Sequence, residues 1–320
     1  MKLSEHADFE QAVLRAADHF RARGLRPAII EKDYYVTETL RAIAAFAGNR
    51  LIFKGGTSLS KGWNLIDRFS EDVDIFLDPL AFTPPLGANG INRELKRLRD
   101  EVAKQPGLEY VAAESQTIGG AGRSDRFAYR QRFGGPGEVA SRVLLETGTA
   151  SGREPTTEVQ LSSYLGQYLS EIGVTLGAED EGSFPFRLLH FRRTFVEKLF
   201  AIHGKVEIYK RDGVMIGTYA RHYYDLYQLA GQPEVIAMLR SDEYRAIRED
   251  YDQISRLHFG RNYFCPDEMS FTKSDAIFPP DELQRTLATE YESQCRTLCY
   301  GPFPSWEKLQ EKFQELKSLF

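Results

Sequence analysis

In the stretch KGGTSLSKGWNLIDRFSEDVDIF, residues 54–76, Asp72 and Asp74 are separated by one apolar residue. Side chains alternate along a strand, so the two carboxylates share one side while Val73 and Ile75 turn to the core. Two like charges held this way repel unless a cation sits between them. Hard divalent ions, Mg²⁺ or Mn²⁺, take carboxylate oxygens together with substrate phosphates. The turn Gly55-Gly56-Thr57-Ser58 supplies the complementary half. Its glycines let backbone amides approach an anion, and the start of the following helix adds its dipole. The chemistry these residues suit is metal-assisted phosphate transfer from a nucleoside triphosphate (NTP). A plain turn before an edge strand has the same local pattern.

The stretch is neither a P-loop, since Lys61 follows Ser60 and precedes Gly62, nor a Gly-x-Gly-x-x-Gly dinucleotide fingerprint. The elements that must position it read as follows. Helices are expected over about Glu5–Arg23 and Ile30–Phe46, the second on near-helical apolar spacing. LIFKGG reads as a buried strand entering a turn, SLSKGWNLI as a capped helix and DVDIFLD as a strand. A charged helix covers about Asn92–Lys104, and LEYVAAES, RFAYRQRF and RVLLETG read as strands. Glycine clusters (IGGAGRSD, FGGPGE, GTASGREP) separate or follow those strands as loops. From about Gln160 the chain reads as helical. The expected organisation is an α/β (α+β) domain over residues 1–165, with a small mixed sheet and N-terminal helices, and a helical C-terminal domain over 166–320.

With 320 residues the chain can bury a sizeable core. A net charge of −5 argues against a protein that coats nucleic acid non-specifically. Locally the balance differs: Arg187–Arg211 holds seven Lys/Arg against two Glu, which suits an RNA backbone as well as it suits a solvated helix face. The opening helix is too charged for a signal peptide, and no apolar run reaches the roughly 20 residues of a membrane span, so a cytoplasmic protein is expected. Three cysteines in a long chain make a disulfide framework unexpected, and Cys295 and Cys299, one helical turn apart, lack a second pair for zinc. The six histidines show no metal-ligand spacing, and no Gly-x-Ser-x-Gly elbow appears.

The strand–Gly-Gly–helix–strand–Asp-x-Asp order resembles the signature of the DNA polymerase β-type nucleotidyltransferase superfamily. GGTSLSKG followed by RFSEDVDIF more specifically resembles the AbiEii/AbiGii-type toxins, the nucleotidyltransferase halves of bacterial type IV toxin–antitoxin and abortive-infection systems. Three further stretches are similar in type and order: EKDYYVTETL (Glu31–Leu40), RRTFVEKL (Arg192–Leu199) and RHYYDLYQL (Arg221–Leu229).

The resemblance implies roles residue by residue. Gly55, Gly56, Thr57 and Ser58 match the nucleotide-phosphate turn, and Lys61 and Ser70 fall where such enzymes contact phosphates. Asp72 and Asp74 match the metal-binding acids. Glu146, in RVLLETG, is the candidate for a third carboxylate, with a solvated strand-end glutamate as the alternative. Lys198 and Asp225 match an active-site lysine and aspartate from the helical half, which is expected to complete the cleft. Read as consecutive antiparallel helices, their segments bring the two side chains together, and neither is expected in the core. The implied reaction is transfer of a nucleotide from NTP to the 3′ end of tRNA, which blocks translation, with a cognate antitoxin protein as partner. Transfer to a protein target, or a non-catalytic RNA- or nucleotide-binding module, are the alternatives.

Overall fold

The computed structural model describes residues 1–70, 72–119, 122–134 and 139–320. Part of the IGGAGRSD loop and most of FGGPGE lie outside them. The chain divides into two compact units that interleave in sequence. The first comprises 1–62, 69–149 and 156–189, and the second comprises 63–68, 150–155 and 190–320.

The first unit is built on a mixed sheet. Its elements in chain order are α1 (Phe9–His19), α2 (Pro27–Ala47), β1 (Leu51–Lys54), the single turn α3 (Gly55–Thr57), β2 (Asp72–Leu77), α4 (Ala88–Ala103), β3 (Glu109–Tyr110), β4 (Gln116–Ile118), β5 (Gly122–Ala128), β6 (Arg142–Gly148), β7 (Thr156–Leu161), α5 (Tyr164–Glu171) and β8 (Phe184–Leu189). The strand order is β3-β5-β6-β2-β1-β8-β7, with β4 also on β5. β2 runs parallel to β6 and antiparallel to β1, so the acid-bearing strand lies inside the sheet rather than at an edge. Alternation sorts its two faces. Val73, Ile75, Val143 and Leu145 are buried, while Asp72, Asp74, Leu144 and Glu146 are half-buried. Ile52, Phe76 and Leu189 from three neighbouring strands form one cluster of the core.

α2 starts on Pro27 at its first turn, where a missing N–H costs nothing, and is buried almost all round. It buries even Glu31, Lys32 and Asp33, and each has partners from distant chain. Glu31 accepts from the Arg132 and Phe133 amides, Lys32 donates to the Ala140 and Arg142 carbonyls, and Asp33 accepts from Lys61 and the Tyr164 amide. Buried charges persist only when paired in this way.

The second unit is helical: α6 (Phe191–Asp212), α7 (Arg221–Ala230), α8 (Pro233–Leu239), α9 (Asp242–Phe259), α10 (Asp281–Leu298) and α11 (Trp306–Leu316). The His190 side chain accepts from the Arg192 amide at the start of α6, and Gly213, at φ 72°, ends it with its N–H on the Tyr209 carbonyl. α7 packs against α6, α10 and α11. Tyr223, Tyr291 and Trp306 are fully buried there, with ring centroids 5.0 Å (Tyr223–Trp306) and 5.7 Å (Tyr291–Trp306) apart.

Several expected elements differ. SLSKGWNLI does not continue as a helix. A π-helical turn, Ser58–Gly62, follows α3 and stops where Gly62 meets Leu188, so closely that an added Cβ would lie 2.1 Å from the leucine methyl. LEYVAAES gives only two strand residues before a 3-10 turn, and the strand expected in RFAYRQRF starts earlier, at Gly122. β7 and β8 were not expected as strands at all, because Pro185 interrupts one and solvent-exposed Thr157, Glu158 and Gln160 fill the other.

Candidate active site

β1 delivers the glycine turn and β2 the acids. Their antiparallel register pairs Lys54 with Asp74, and the parallel register of β2 on β6 pairs Asp74 with Glu146. Paired residues share a face. Asp72, Asp74 and Glu146 therefore stand on one face of two adjacent central strands, Glu146 well inside its strand rather than at a solvated end. Gly55 has φ 78°, and a Cβ built on it would fall 1.9 Å from Asp74 Oδ2. The carboxylate lies directly against glycine backbone, which is what a glycine at that position allows.

This donor set fits a hard divalent ion. All three groups are oxygen donors, and all three are half-buried. Among the described residues no group of three or more His, Cys, Asp or Glu side chains is drawn together so that it could hold a metal ion by itself. An ion that keeps water and substrate oxygens as ligands needs only one or two of these carboxylates.

The hydroxyls of the turn are engaged internally. Thr57 Oγ1 donates to the Asp72 carbonyl and, at 3.4 Å, to the Ser70 carbonyl, while Ser58 Oγ donates to the Gly55 carbonyl at 2.9 Å. Both side chains are buried, so they brace the turn against the acid strand. Lys61 is also occupied. Its ammonium lies 2.6 Å from Asp33 Oδ1 and 3.0 Å from the Ser162 carbonyl.

Gly55→Ala should cut turnover by roughly a hundredfold, the scale on which an ångström of displacement at a reacting centre is felt. The added methyl both strains the backbone and pushes Asp74 aside. Steady-state kinetics on folded variant would check it, and wild-type turnover would show that Asp74 does not need this packing.

In the helical unit, Lys198 on α6 and Asp225 on α7 do meet, with Lys198 Nζ 2.7 Å from Asp225 Oδ2. The sequence did not single out two further members. Arg68, from the segment just before the acids, makes a bidentate pair with Asp225 at 2.6 and 2.8 Å. His222 Nδ1 lies 2.9 Å from Lys198 Nζ and 3.4 Å from Asp225 Oδ2. The i, i+3 spacing of His222 and Asp225 on one helix was the available signal for the histidine; nothing local marks Arg68. The Arg68, Asp225 and Lys198 side chains are only 1, 0 and 7 % exposed, so the expectation that Lys198 and Asp225 lie outside the core is corrected.

Burial alone would raise the Asp225 carboxyl, but Arg68 and Lys198 outweigh it and hold it well below the usual carboxylate range. Burial lowers the Lys198 ammonium against the pull of Asp225. His222 is pushed down to about 3, first by burial and then by the Lys198 charge. Groups whose folded pKa is depressed favour the folded state above their unfolded pKa, and that stability is lost as pH falls toward the folded value. The protein should therefore lose stability progressively below about pH 6.5, the ordinary histidine value, and His222→Gln should flatten that slope in melting scans between pH 7 and 4. An unchanged slope would remove His222 from the effect.

The basic stretch Arg187–Arg211 is not an open cationic strip. Arg192 pairs with Glu243, Arg193 with Glu197 and Asp250, Lys198 with Asp225, Lys210 with Glu207 and Asp275, and Arg211 with Asp212. Those carboxylates offset the charge that the sequence suggested for RNA phosphates.

Comparison with known proteins places residues 38–315 within the description of the family "Nucleotidyl transferase AbiEii toxin, Type IV TA system". No curated protein matches the chain. Among solved structures, the chain is similar to MenT4, a nucleotidyltransferase toxin from Mycobacterium tuberculosis H37Rv, at 14 % identity and a TM-score of 0.49. That match covers 97 % of this chain and 98 % of the other. A structure from H. pylori, described as that of a proposed nucleotidyltransferase, is similar at 17 % identity and a TM-score of 0.35, covering 88 % and 95 % of the two chains.

Proposed function

The chain belongs to the AbiEii nucleotidyl transferase toxin family of type IV toxin–antitoxin systems, and from that premise we propose that it transfers a nucleotide from NTP to the 3′ end of tRNA. The observation that carries the chemistry is the shared face of Asp72, Asp74 and Glu146 beside Gly55. The acceptor rests on the family resemblance, because α6 offers no unpaired basic strip.

In this reading Asp72, Asp74 and Glu146 would hold Mg²⁺ or Mn²⁺, which when bound would supply charge stabilisation for the attacking and leaving oxygens. The Gly55–Ser58 turn receives the donor's phosphates on backbone amides and fixes Asp74 at the reacting phosphorus. The acceptor hydroxyl oxygen forms a bond to the α-phosphorus, its proton passing to water. The α–β bridging bond breaks, and pyrophosphate leaves with the electron pair. The family resemblance would give Lys198, held by Asp225, a charge-stabilising part in turnover. Extension of tRNA 3′ ends blocks charging and halts translation, and a cognate antitoxin protein relieves the arrest. No described helix is long and apolar enough to cross a membrane, in keeping with a cytoplasmic site of action.

Incubation with each labelled triphosphate, Mg²⁺ and total tRNA should place label on tRNA, and excess chelator should prevent it. Label on protein instead would move the acceptor class, and absence of label on either would sink the proposal. Induced expression in a bacterium should slow growth by halting translation; normal growth with abundant soluble protein would count against the toxin role.

A further inference from the structure

We infer that Lys54, not Lys61, is the turn's cation for the donor's phosphates, and that Lys61 and Asp33 form a buried strut that holds the turn in place. The inference rests on the nucleotidyl-transfer reading above and names a contact within it.

Lys61 is badly placed to meet a ligand. Its side chain is 4 % exposed and that of Asp33 10 %, and its ammonium already has a carboxylate, a backbone carbonyl and the Tyr164 ring 5.6 Å away. The second oxygen of Asp33 accepts from the Tyr164 amide at 2.8 Å, at the start of α5. Asp33 thus ties the far end of the glycine turn to α2 and α5, while Thr57 ties its near end to β2. Moving Lys61 onto a phosphate would leave the buried Asp33 carboxylate without its counter-charge, which is costly.

Lys54 is the opposite case. It immediately precedes Gly55, is half-buried, and stands directly across from Asp74 on the acid face. Among the described residues no hydrogen bond or ion pair engages its ammonium. A half-buried ammonium on the face of three carboxylates, with no fixed partner, is available to an incoming polyphosphate whose metal those carboxylates hold. Charge-assisted contacts to phosphate are among the stronger hydrogen bonds.

Calorimetric titration with inorganic pyrophosphate and with a nonreactive triphosphate analogue, both in Mg²⁺, separates the two lysines without requiring turnover. Lys54→Met should weaken both ligands by roughly ten- to hundredfold, as expected for one charged hydrogen bond, and leave the melting temperature near wild type. Lys54→Arg should restore part of the affinity. Lys61→Met and Asp33→Asn should each lower the melting temperature and weaken pyrophosphate to the same, smaller extent than Lys54→Met, since both act only through the turn's position. Their double variant should melt well above the additive expectation, because the residues act as a pair. Unchanged pyrophosphate binding by Lys54→Met, or weakened binding by Lys61→Met but not Asp33→Asn, would overturn the assignment. Additive melting losses would overturn the strut. Wild-type protein that binds no triphosphate defeats the nucleotidyl-transfer reading itself, an outcome distinct from each of these.

Discussion

Asp72→Ala and Asp74→Ala should each lower nucleotide transfer by at least roughly a thousandfold, because charge stabilisation by a held metal would be worth several kcal/mol in the transition state. The two acids occupy alternate positions of a central strand, and Asp74 has Glu146 as its neighbour on β6. If the acids serve to hold the metal, removing one should leave the melting temperature of the ligand-free protein near wild type. That pairing of results, activity lost and stability kept, distinguishes a metal-holding acid from one that supports the sheet. Glu146→Gln should have a smaller effect than either aspartate variant if it is the outermost donor. Full turnover of Asp72→Ala, or of wild type in excess chelator, would defeat the mechanism.

Asp225→Ala is expected to be the most damaging single change in the helical unit, for both stability and turnover. It leaves the Arg68 guanidinium and the Lys198 ammonium buried without their shared counter-charge. Breaking a buried pair by removing one partner costs roughly 3–5 kcal/mol. Lys198→Ala leaves the bidentate Arg68–Asp225 pair intact, so its stability loss should be clearly smaller. Both variants should cut turnover by at least roughly a hundredfold when assayed well below their melting temperatures, comparable to losing one preorganised donor. The double variant should turn over little worse than either single, since the two residues act as a unit. Chemical denaturation and single-turnover kinetics on the three variants check both parts. Equal stability losses for Lys198→Ala and Asp225→Ala would show that Arg68 does not depend on Asp225. Normal turnover in both would assign the cluster to folding alone.

Much of the site was written locally in the chain. The Asp-x-Asp alternation, the Gly-Gly turn and the strand on either side follow from periods and residue types within a few positions. The helices α2, α6 and α7 are likewise legible from apolar spacing, and RVLLETG is a strand over the residues expected. Family membership also rests on short motifs in a fixed order.

What only the tertiary structure decided are the partners. Nothing near Glu146 specifies that β6 lies parallel to β2 with Glu146 beside Asp74; a shift of one residue would send that carboxylate to the other face. The family resemblance assigns Lys61 to the donor's phosphates, yet Asp33, far upstream, pairs with it. The basic stretch Arg187–Arg211 looks like an RNA surface until acids pair with five of its seven basic residues, several of them from α7, α9 and beyond. β8, with a proline and no clean alternation, becomes a strand because β1 and β7 supply hydrogen-bonding partners on both sides. Local pattern fixes which face a side chain takes, since that depends on backbone period alone. A charge's role depends on what else is buried beside it, and burial brings together residues that the sequence keeps apart.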